Sequence, residues 1–171
     1  MSTSWKEDKR WGERFLPEIK RILGEYLISE PPIEEDTDRN TDLIVLKLDA
    51  IRIACRVRKA SYLEKYSSEF TIRAGRPSGV KTELTKIVEG WGQYLFYGFS
   101  NPEETALVQW VLIDLNAFRL WFMKYLFSHH GKIPGAEKLN TDGSSTFRAF
   151  DTKTMPINII VASSKVMTLC T

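Results

Sequence analysis

Apolar residues recur at helical spacing near the N-terminus and alternate with polar residues further along the chain. Residues 5–28 predict a helical region in two pieces, because Pro17 lacks a backbone donor and is best accommodated in the first turn of a second helix. That second helix has one apolar face, made of Ile19, Ile22, Leu23, Tyr26 and Leu27. Residues 29–41 are rich in acidic side chains and predict a solvated connecting loop.

Strand patterns follow this acidic loop. Residues 42–48 are apolar and β-branched. Residues 52–59 alternate, with arginines on one side and three predicted core residues on the other, Ile53, Cys55 and Val57. The segment between the two runs is short enough for a β-hairpin. Residues 69–73 alternate as well and predict a third strand.

Helix and strand patterns then alternate to the end of the chain. We predict a helix over residues 81–91, with Trp91 on its apolar face, and an aromatic helix from Asn116, as its cap, to about Ser128. Strands are predicted at 94–99, 107–115, 146–150 and 157–162. Because no repeat or linker divides the chain, we expect residues 1–171 to form a single α/β domain, with a mixed central β-sheet within residues 42–162 flanked by helices.

Composition narrows the class of protein. The chain has 171 residues, of which 43% are hydrophobic and 27% charged, and this excludes a disordered or collagen-like chain. Cys55 and Cys170 alone make neither a disulfide framework nor a zinc site, and they suggest a reducing compartment. No apolar run approaches the roughly 18 residues that span a bilayer, and the N-terminus is too polar for a signal peptide. We therefore predict a cytoplasmic protein without a membrane partner.

Basic residues are concentrated between residues 52 and 86. This segment has nine basic and three acidic side chains, a net charge of +6 in a chain of net charge +2. Arginine matches phosphate oxygens in geometry, so the cluster predicts binding of a nucleic-acid backbone through Arg56, Arg58, Lys59, Arg73, Arg76 and Lys81. Four nearby tyrosines could stack on bases, Tyr62, Tyr66, Tyr94 and Tyr97. The alternative is a solvated face that pairs with the acidic residues 30–38.

Two catalytic patterns are incomplete. Residues 75–82 place a glycine-rich loop before a Lys-Thr pair, but only three residues separate the glycines and Val80 precedes the lysine, which is not P-loop spacing. His129 and His130 are adjacent and cannot share a helix face. Together with the predicted burial of Cys55, this disfavours a Cys–His hydrolase.

A resemblance to a nuclease family rests on the order of the elements and on Asp42 followed by a basic strand end at residues 56–59. Residues 5–99 resemble the restriction-endonuclease-like, PD-(D/E)XK nuclease fold, in which a helix and a three-stranded meander precede a helix and a strand. The resemblance implies metal-dependent cleavage of DNA, with two acids holding Mg²⁺ beside a lysine. Where the family has its second acid and lysine, this chain has Arg56 and Arg58, or alternatively Glu69 followed by Thr71. Either the second acid has moved, for example to Glu69 or Glu83, or cleavage is lost. Residues 69–99 are also similar to uncharacterised phage-encoded proteins.

For an active site of this kind, the resemblance implies Asp42, Glu69 and Glu83 as Mg²⁺ ligands, and Lys86 or Arg73 as the group that steadies the attacking water or the phosphate. We therefore predict a nuclease-like protein that binds DNA or cleaves it with Mg²⁺. The alternative is a non-enzymatic protein-interaction module on the same fold. Such a module would dock a protein partner or a second copy of the chain through its basic stripe or through the aromatic helix at residues 117–127.

Overall fold

The computed structural model describes residues 5–29, 44–45, 51–140 and 143–164. Its helices are α1 (Trp5–Glu13), α2 (Leu16–Leu27), α3 (Leu63–Tyr66), α4 (Glu83–Val88) and α5 (Leu115–Ser128). Its strands are β1 (Ile28–Ser29), β2 (Ile44–Val45), β3 (Ile53–Arg58), β4 (Glu69–Gly75), β5 (Tyr94–Ser100), β6 (Leu107–Asp114), β7 (Ala136–Leu139), β8 (Thr146–Asp151) and β9 (Ile160–Ser163). The predicted two-piece helical region is confirmed, with Pro17 in the first turn of α2.

The central sheet has four strands in the order β3-β5-β6-β9. It is mixed, because β3 runs parallel to β5 whereas the other two pairs are antiparallel. A second, antiparallel sheet has the order β4-β8-β7, and β1 and β2 form a separate antiparallel pair. The prediction of a mixed α/β domain with helices and a mixed sheet is confirmed, while the restriction-endonuclease-like assignment stays a prediction.

Both faces of strand β5 are covered, which explains why its side chains are nearly all buried. On one face, Phe96 packs against α2 and the segment before it, through Phe15, Ile19, Ile22 and Leu23. On the other face, Leu95, Tyr97 and Phe99 join the second sheet and α5 in the larger core. Because successive side chains of β5 point to opposite faces, this strand contacts both the N-terminal helices and the rest of the domain.

The larger core is aromatic and lies between the two sheets and α5. Phe70 of β4 is paired in register with Phe150 of β8, and their ring centroids are 5.3 Å apart. Phe118 of α5 packs edge-on against Phe150 at 5.2 Å. These side chains are almost completely buried, so they position β4 and α5 relative to the central sheet.

The predicted strand pairing is partly wrong. The hairpin between residues 42–48 and 52–59 does not form in the described residues, since β2 pairs with β1 and β3 pairs with β5. The three predicted strands also form no meander, because β3 and β4 belong to different sheets. Strand pairing depends on which distant segments bury their apolar residues together. The alternation of residues within one segment does not specify this.

Several predicted boundaries need correction. Helix α4 is shorter than residues 81–91, beginning after its cap Thr82 and ending before Gly90, whose positive φ stops the helix. The cap of α5 is Asp114, not Asn116. Residues 157–159 form a 3₁₀ turn before β9 rather than part of a strand. Strand β7 was not predicted at all, since its side chains are mostly exposed and show little apolar alternation.

The predicted burial of Cys55 is also wrong. Its neighbours on the same strand face, Ile53 and Val57, pack against the N-terminal helical layer as expected, but Cys55 is exposed. Strand β3 is an edge strand in the described part of the sheet, so one side of it is open. Desolvation nevertheless raises the pKa of the Cys55 thiol above its ordinary value of 9.0. Among the described residues, no helix has both the length and the apolar character needed to cross a membrane.

Candidate functional site

A basic cleft of about 400 Å³ lies beside the beginning of β3, the loop after β4 and helix α4. Among the described residues that line it, one side chain is acidic, Glu83, and six are basic, Arg52, Arg56, Arg73, Arg76, Lys81 and Lys86. Their formal charges give the cleft a net charge of +5. Two sequence-distant stretches of the predicted basic cluster, residues 52–56 and 73–86, are therefore brought together by the fold.

Arg56 and Glu83, which both line the cleft, are bound to each other. The Arg56 guanidinium donates to the Glu83 carboxylate at 2.6 Å and to the backbone carbonyl of Thr71 at 2.9 Å. The same Glu83 oxygen accepts the backbone N–H of Arg73 at 3.1 Å. Arg56 therefore ties strand β3 to both β4 and α4, and the two side chains remain about one quarter exposed. This pair shapes the cleft and neutralises one of its positive charges.

The remaining cations leave the cleft strongly positive. Arg52, Arg76 and Lys86 are exposed and make no ion pair with another described residue. Lys81 is also exposed and donates to both carboxylate oxygens of Glu89, at 2.7 and 2.9 Å. Exposed cations gathered around one concave surface favour an anionic ligand, and guanidinium groups match the oxygens of phosphate and of carboxylate.

The predicted metal ligands do not converge in the described structure. Glu83 lines the cleft and is bound to Arg56, whereas Glu69 lies on β4 and pairs with Lys138 at 3.2 Å. Asp42 lies outside the described residues. Within the described ranges, no group of three or more histidine, cysteine or acidic residues could hold a metal ion. Of the predicted catalytic residues, the structure brings together Glu83 and Lys86, and the Mg²⁺ site stays a prediction.

Arg58 and Lys59 lie outside the cleft, although the sequence grouped them with Arg56. Each residue of a strand advances the chain by about 3.3 Å, so Arg58 shares a face with Arg56 but lies further along β3. There its guanidinium is 4.3 Å from the centre of the Tyr62 ring. Lys59 pairs with Glu104 at 3.0 Å, in a separate cluster that includes Trp11.

The four tyrosines proposed for base stacking are engaged elsewhere. Tyr97 is buried and its hydroxyl is bonded to that of Thr71 at 3.1 Å, while Tyr94 packs in the core under the N-terminal helices. Tyr62 and Tyr66 lie against Arg58 and Lys138 respectively. None of the four lines the basic cleft.

Trp91 and Arg52 are the cleft residues that sequence reasoning missed. Trp91 was predicted on the buried face of a helix, but α4 ends at Val88 and leaves the Trp91 side chain 65% exposed in the cleft wall. The glycines on either side of it were the available signal, because they predict a turn rather than a helix end packed in the core. Arg52 belongs to the basic cluster, but its place in the sequence does not distinguish it from the other basic residues there.

In comparisons with known proteins, no family model, curated protein or solved structure matches the chain.

Proposed function

We propose that the protein binds DNA through the basic cleft and that it contacts the phosphodiester backbone. The observation that supports this function is the net charge of +5 in one cleft, with three cations that have no ion-pair partner among the described residues. A DNA strand presents a regular series of phosphates, and their neutralisation releases condensed counterions, which drives association. Three separate segments supply the three cations, before β3, after β4 and on α4, so several phosphates can be contacted at once.

Metal-dependent cleavage is the further step that the nuclease resemblance suggests. In that case Asp42, Glu69 and Glu83 would be the Mg²⁺ ligands, and Lys86 or Arg73 would steady the attacking water or the phosphate. The geometry supports binding more directly than cleavage, because Glu83 is already engaged by Arg56 and Glu69 pairs with Lys138. Binding is therefore the function we propose, and cleavage is an extension that the same preparations can test.

The test of binding is the salt dependence of DNA affinity. The double variant Arg76→Ala/Lys86→Ala should weaken binding of a fluorescein-labelled DNA, since two phosphate contacts are lost. It should also flatten the slope of log K against log[KCl] by about 1–2, near 0.9 for each contact on duplex DNA and near 0.7 on a single strand. Fluorescence anisotropy between 50 and 300 mM KCl measures both quantities.

A matched control is available on the same chain. Lys132→Ala/Lys153→Ala removes two exposed positive charges that lie outside the cleft, and it should leave the slope unchanged. Equal slopes for the two double variants would contradict the proposal, as would the absence of binding at 50 mM KCl.

Incubation of the protein with supercoiled DNA and Mg²⁺ or Mn²⁺ tests whether it also cleaves DNA. Cutting that disappears in Asp42→Ala would make the protein a nuclease. Binding without cutting would indicate a fold retained for recognition.

One observation favours a second candidate function, the protein-interaction module. Helix α5 exposes three apolar side chains, Leu120 (72% exposed), Met123 (40%) and Phe127 (81%). Their spacing places them on one side of the helix, and an apolar stripe of this kind is typical of an interface. Sedimentation equilibrium of the wild type and of Leu120→Glu/Phe127→Glu is the test. An oligomer that dissociates in the variant would support the second function.

A further inference from the structure

We propose that the ligand of the basic cleft is single-stranded DNA, held with one unpaired base stacked on the indole of Trp91. This inference rests on the proposed function and specifies its substrate class. It depends on three features of the cleft wall, which are the exposure of the indole, the rigidity of the turn that carries it and its position beside Arg52.

The exposure of Trp91 is the first feature. The Trp91 side chain is 65% exposed, and it lies in the wall of a cleft whose other side chains are mainly cationic. An indole left in water is unfavourable, because burial of an aromatic side chain is worth several kcal/mol. No described aromatic ring or carboxylate pairs with it. An apolar ring among phosphate-binding cations matches a nucleotide, which has a flat base and a charged phosphate.

The turn that carries Trp91 is held rigidly. Gly90 and Gly92 on either side have φ values of 98° and 76°, which other residues adopt only with strain. The backbone N–H of Trp91 donates to the Lys86 carbonyl at 3.0 Å. From α5, the guanidinium of Arg119 donates to the carbonyls of Ile87 at 3.1 Å and Gly92 at 3.3 Å. The indole is therefore presented on a preorganised support, which lowers the entropy cost of binding.

Backbone hydrogen bonds also place Arg52 next to this turn. The Arg52 carbonyl accepts the backbone N–H of Gln93 at 2.9 Å, and the Arg52 N–H donates to the Gln93 side chain at 2.7 Å. Since Gln93 lies two residues after Trp91, these bonds tie the Arg52 backbone to the segment that carries the indole, and Arg52 and Trp91 both line the cleft. A stacked base and its phosphate can then be bound by adjacent groups.

The accessibility of the bases favours single strands over duplexes. A volume of about 400 Å³ is within the range of pockets that enclose small ligands, so the cleft can receive one nucleotide. In a duplex, each base is already stacked between its neighbours and its faces are inaccessible. In a single strand, the base can leave the stack and lie on an aromatic side chain.

Variants of Trp91 test the proposal. The full-length wild type should bind a labelled 20-mer of thymidine at least tenfold more tightly than a 20-base-pair duplex at the same salt concentration. Trp91→Ala should weaken single-strand binding about 5- to 150-fold, which corresponds to the loss of one base stack, and should leave duplex binding unchanged. Trp91→Phe keeps an aromatic face and should recover most of the affinity.

Two controls isolate the base stack. Leu139→Ala removes a large apolar side chain on β7 that is 65% exposed, as Trp91 is, and that lies outside the cleft, and it should not change the affinity. A 20-mer with abasic sites at every position keeps the phosphates but lacks the bases. Wild type and Trp91→Ala should bind this abasic strand equally, with the same salt slope.

The outcomes separate the two proposals. If the wild type binds DNA but Trp91→Ala binds the thymidine strand as tightly as the wild type, the stacking proposal is overturned and the proposed function stands. Tighter binding of the duplex than of the single strand would have the same consequence. If neither DNA is bound, both proposals are overturned.

Discussion

At the scale of single residues, a basic side chain predicted to bind phosphate has a structural role as well. Arg56 donates to Thr71 of the second sheet and to Glu83 of α4. Glu83, predicted as a Mg²⁺ ligand, is the carboxylate that accepts this bond. The alternation along the strand correctly placed Arg56 on the face opposite Ile53 and Val57, but nothing local to it specifies that a carboxylate 27 residues away meets it.

Replacement of Arg56 should therefore destabilise the fold. We expect Arg56→Ala to lower the free energy of unfolding by about 1–3 kcal/mol, because the Glu83 carboxylate and the Thr71 carbonyl both lose a charged donor. Urea denaturation followed by circular dichroism measures this change. Arg76→Ala is the control, since Arg76 is exposed and should change stability by less than about 0.5 kcal/mol. Equal stability of the two variants would contradict the structural role of Arg56.

At the scale of secondary-structure elements, the helices were easier to predict than the sheets. A helix satisfies its own backbone and shows its 3.6-residue period in a continuous stretch, so α2 and α5 lie close to their predicted positions. Strands need partners, and β3 pairs with β5, whose residues lie 41 positions further along the chain, rather than with its neighbour in sequence. The exact start of a helix depends on one capping side chain, and the capping residue predicted for α5 is wrong.

The cap of α5 gives a prediction at this scale. The Asp114 carboxylate accepts the backbone N–H groups of Asn116 at 2.7 Å and Ala117 at 3.1 Å. Asp114→Ala should cost about 1 kcal/mol of unfolding free energy, because two N–H groups of the first turn lose their acceptor. Asp114→Asn keeps an acceptor and should lose less. Thermal or urea denaturation of both variants is the measurement, and an Asp114→Ala protein as stable as the wild type would refute the assignment.

At the scale of the whole molecule, one acidic side chain connects segments that are distant in sequence. Glu104, in the loop between β5 and β6, accepts a hydrogen bond from the Trp11 indole at 2.6 Å. It also pairs with Lys59 at 3.0 Å and Arg14 at 3.9 Å. The N-terminal helical layer is thereby linked to the end of β3 and to the central sheet, in addition to the apolar contacts of Phe96.

This connection should make global stability depend on pH. The Trp11 hydrogen bond first, and then Lys59 and Arg14, hold the pKa of Glu104 below its ordinary value of 4.5. Because the folded pKa is the lower one, the stabilisation is present above pH 4.5 and is lost as the pH falls through the folded pKa. Glu104→Gln should therefore be less stable than the wild type at pH 7, with a difference that narrows below pH 4.5. Urea midpoints across pH 3–7 measure this, and a constant difference would contradict it.

The sequence by itself determined the features that depend on neighbouring residues. These are the two-piece N-terminal helix, the aromatic helix α5, most of the strands and the excess of basic side chains between residues 52 and 86. Each is visible as a period or a charge count within a short window, because local backbone geometry sets the spacing of side chains on a face.

Only the tertiary structure decided which of these features meet. It joined residues 52–56 to residues 73–86 in one cleft, separated Lys59 and Glu69 from it, and placed Trp91 in its wall. The reason is that strand pairing and helix docking are set by burial of the aromatic core, in which Phe70 meets Phe150 from 80 residues away. Burial of apolar area is favourable whatever the distance along the chain between the residues that pack together. The packed core therefore sets the positions of the strands, and with them the positions of their polar residues.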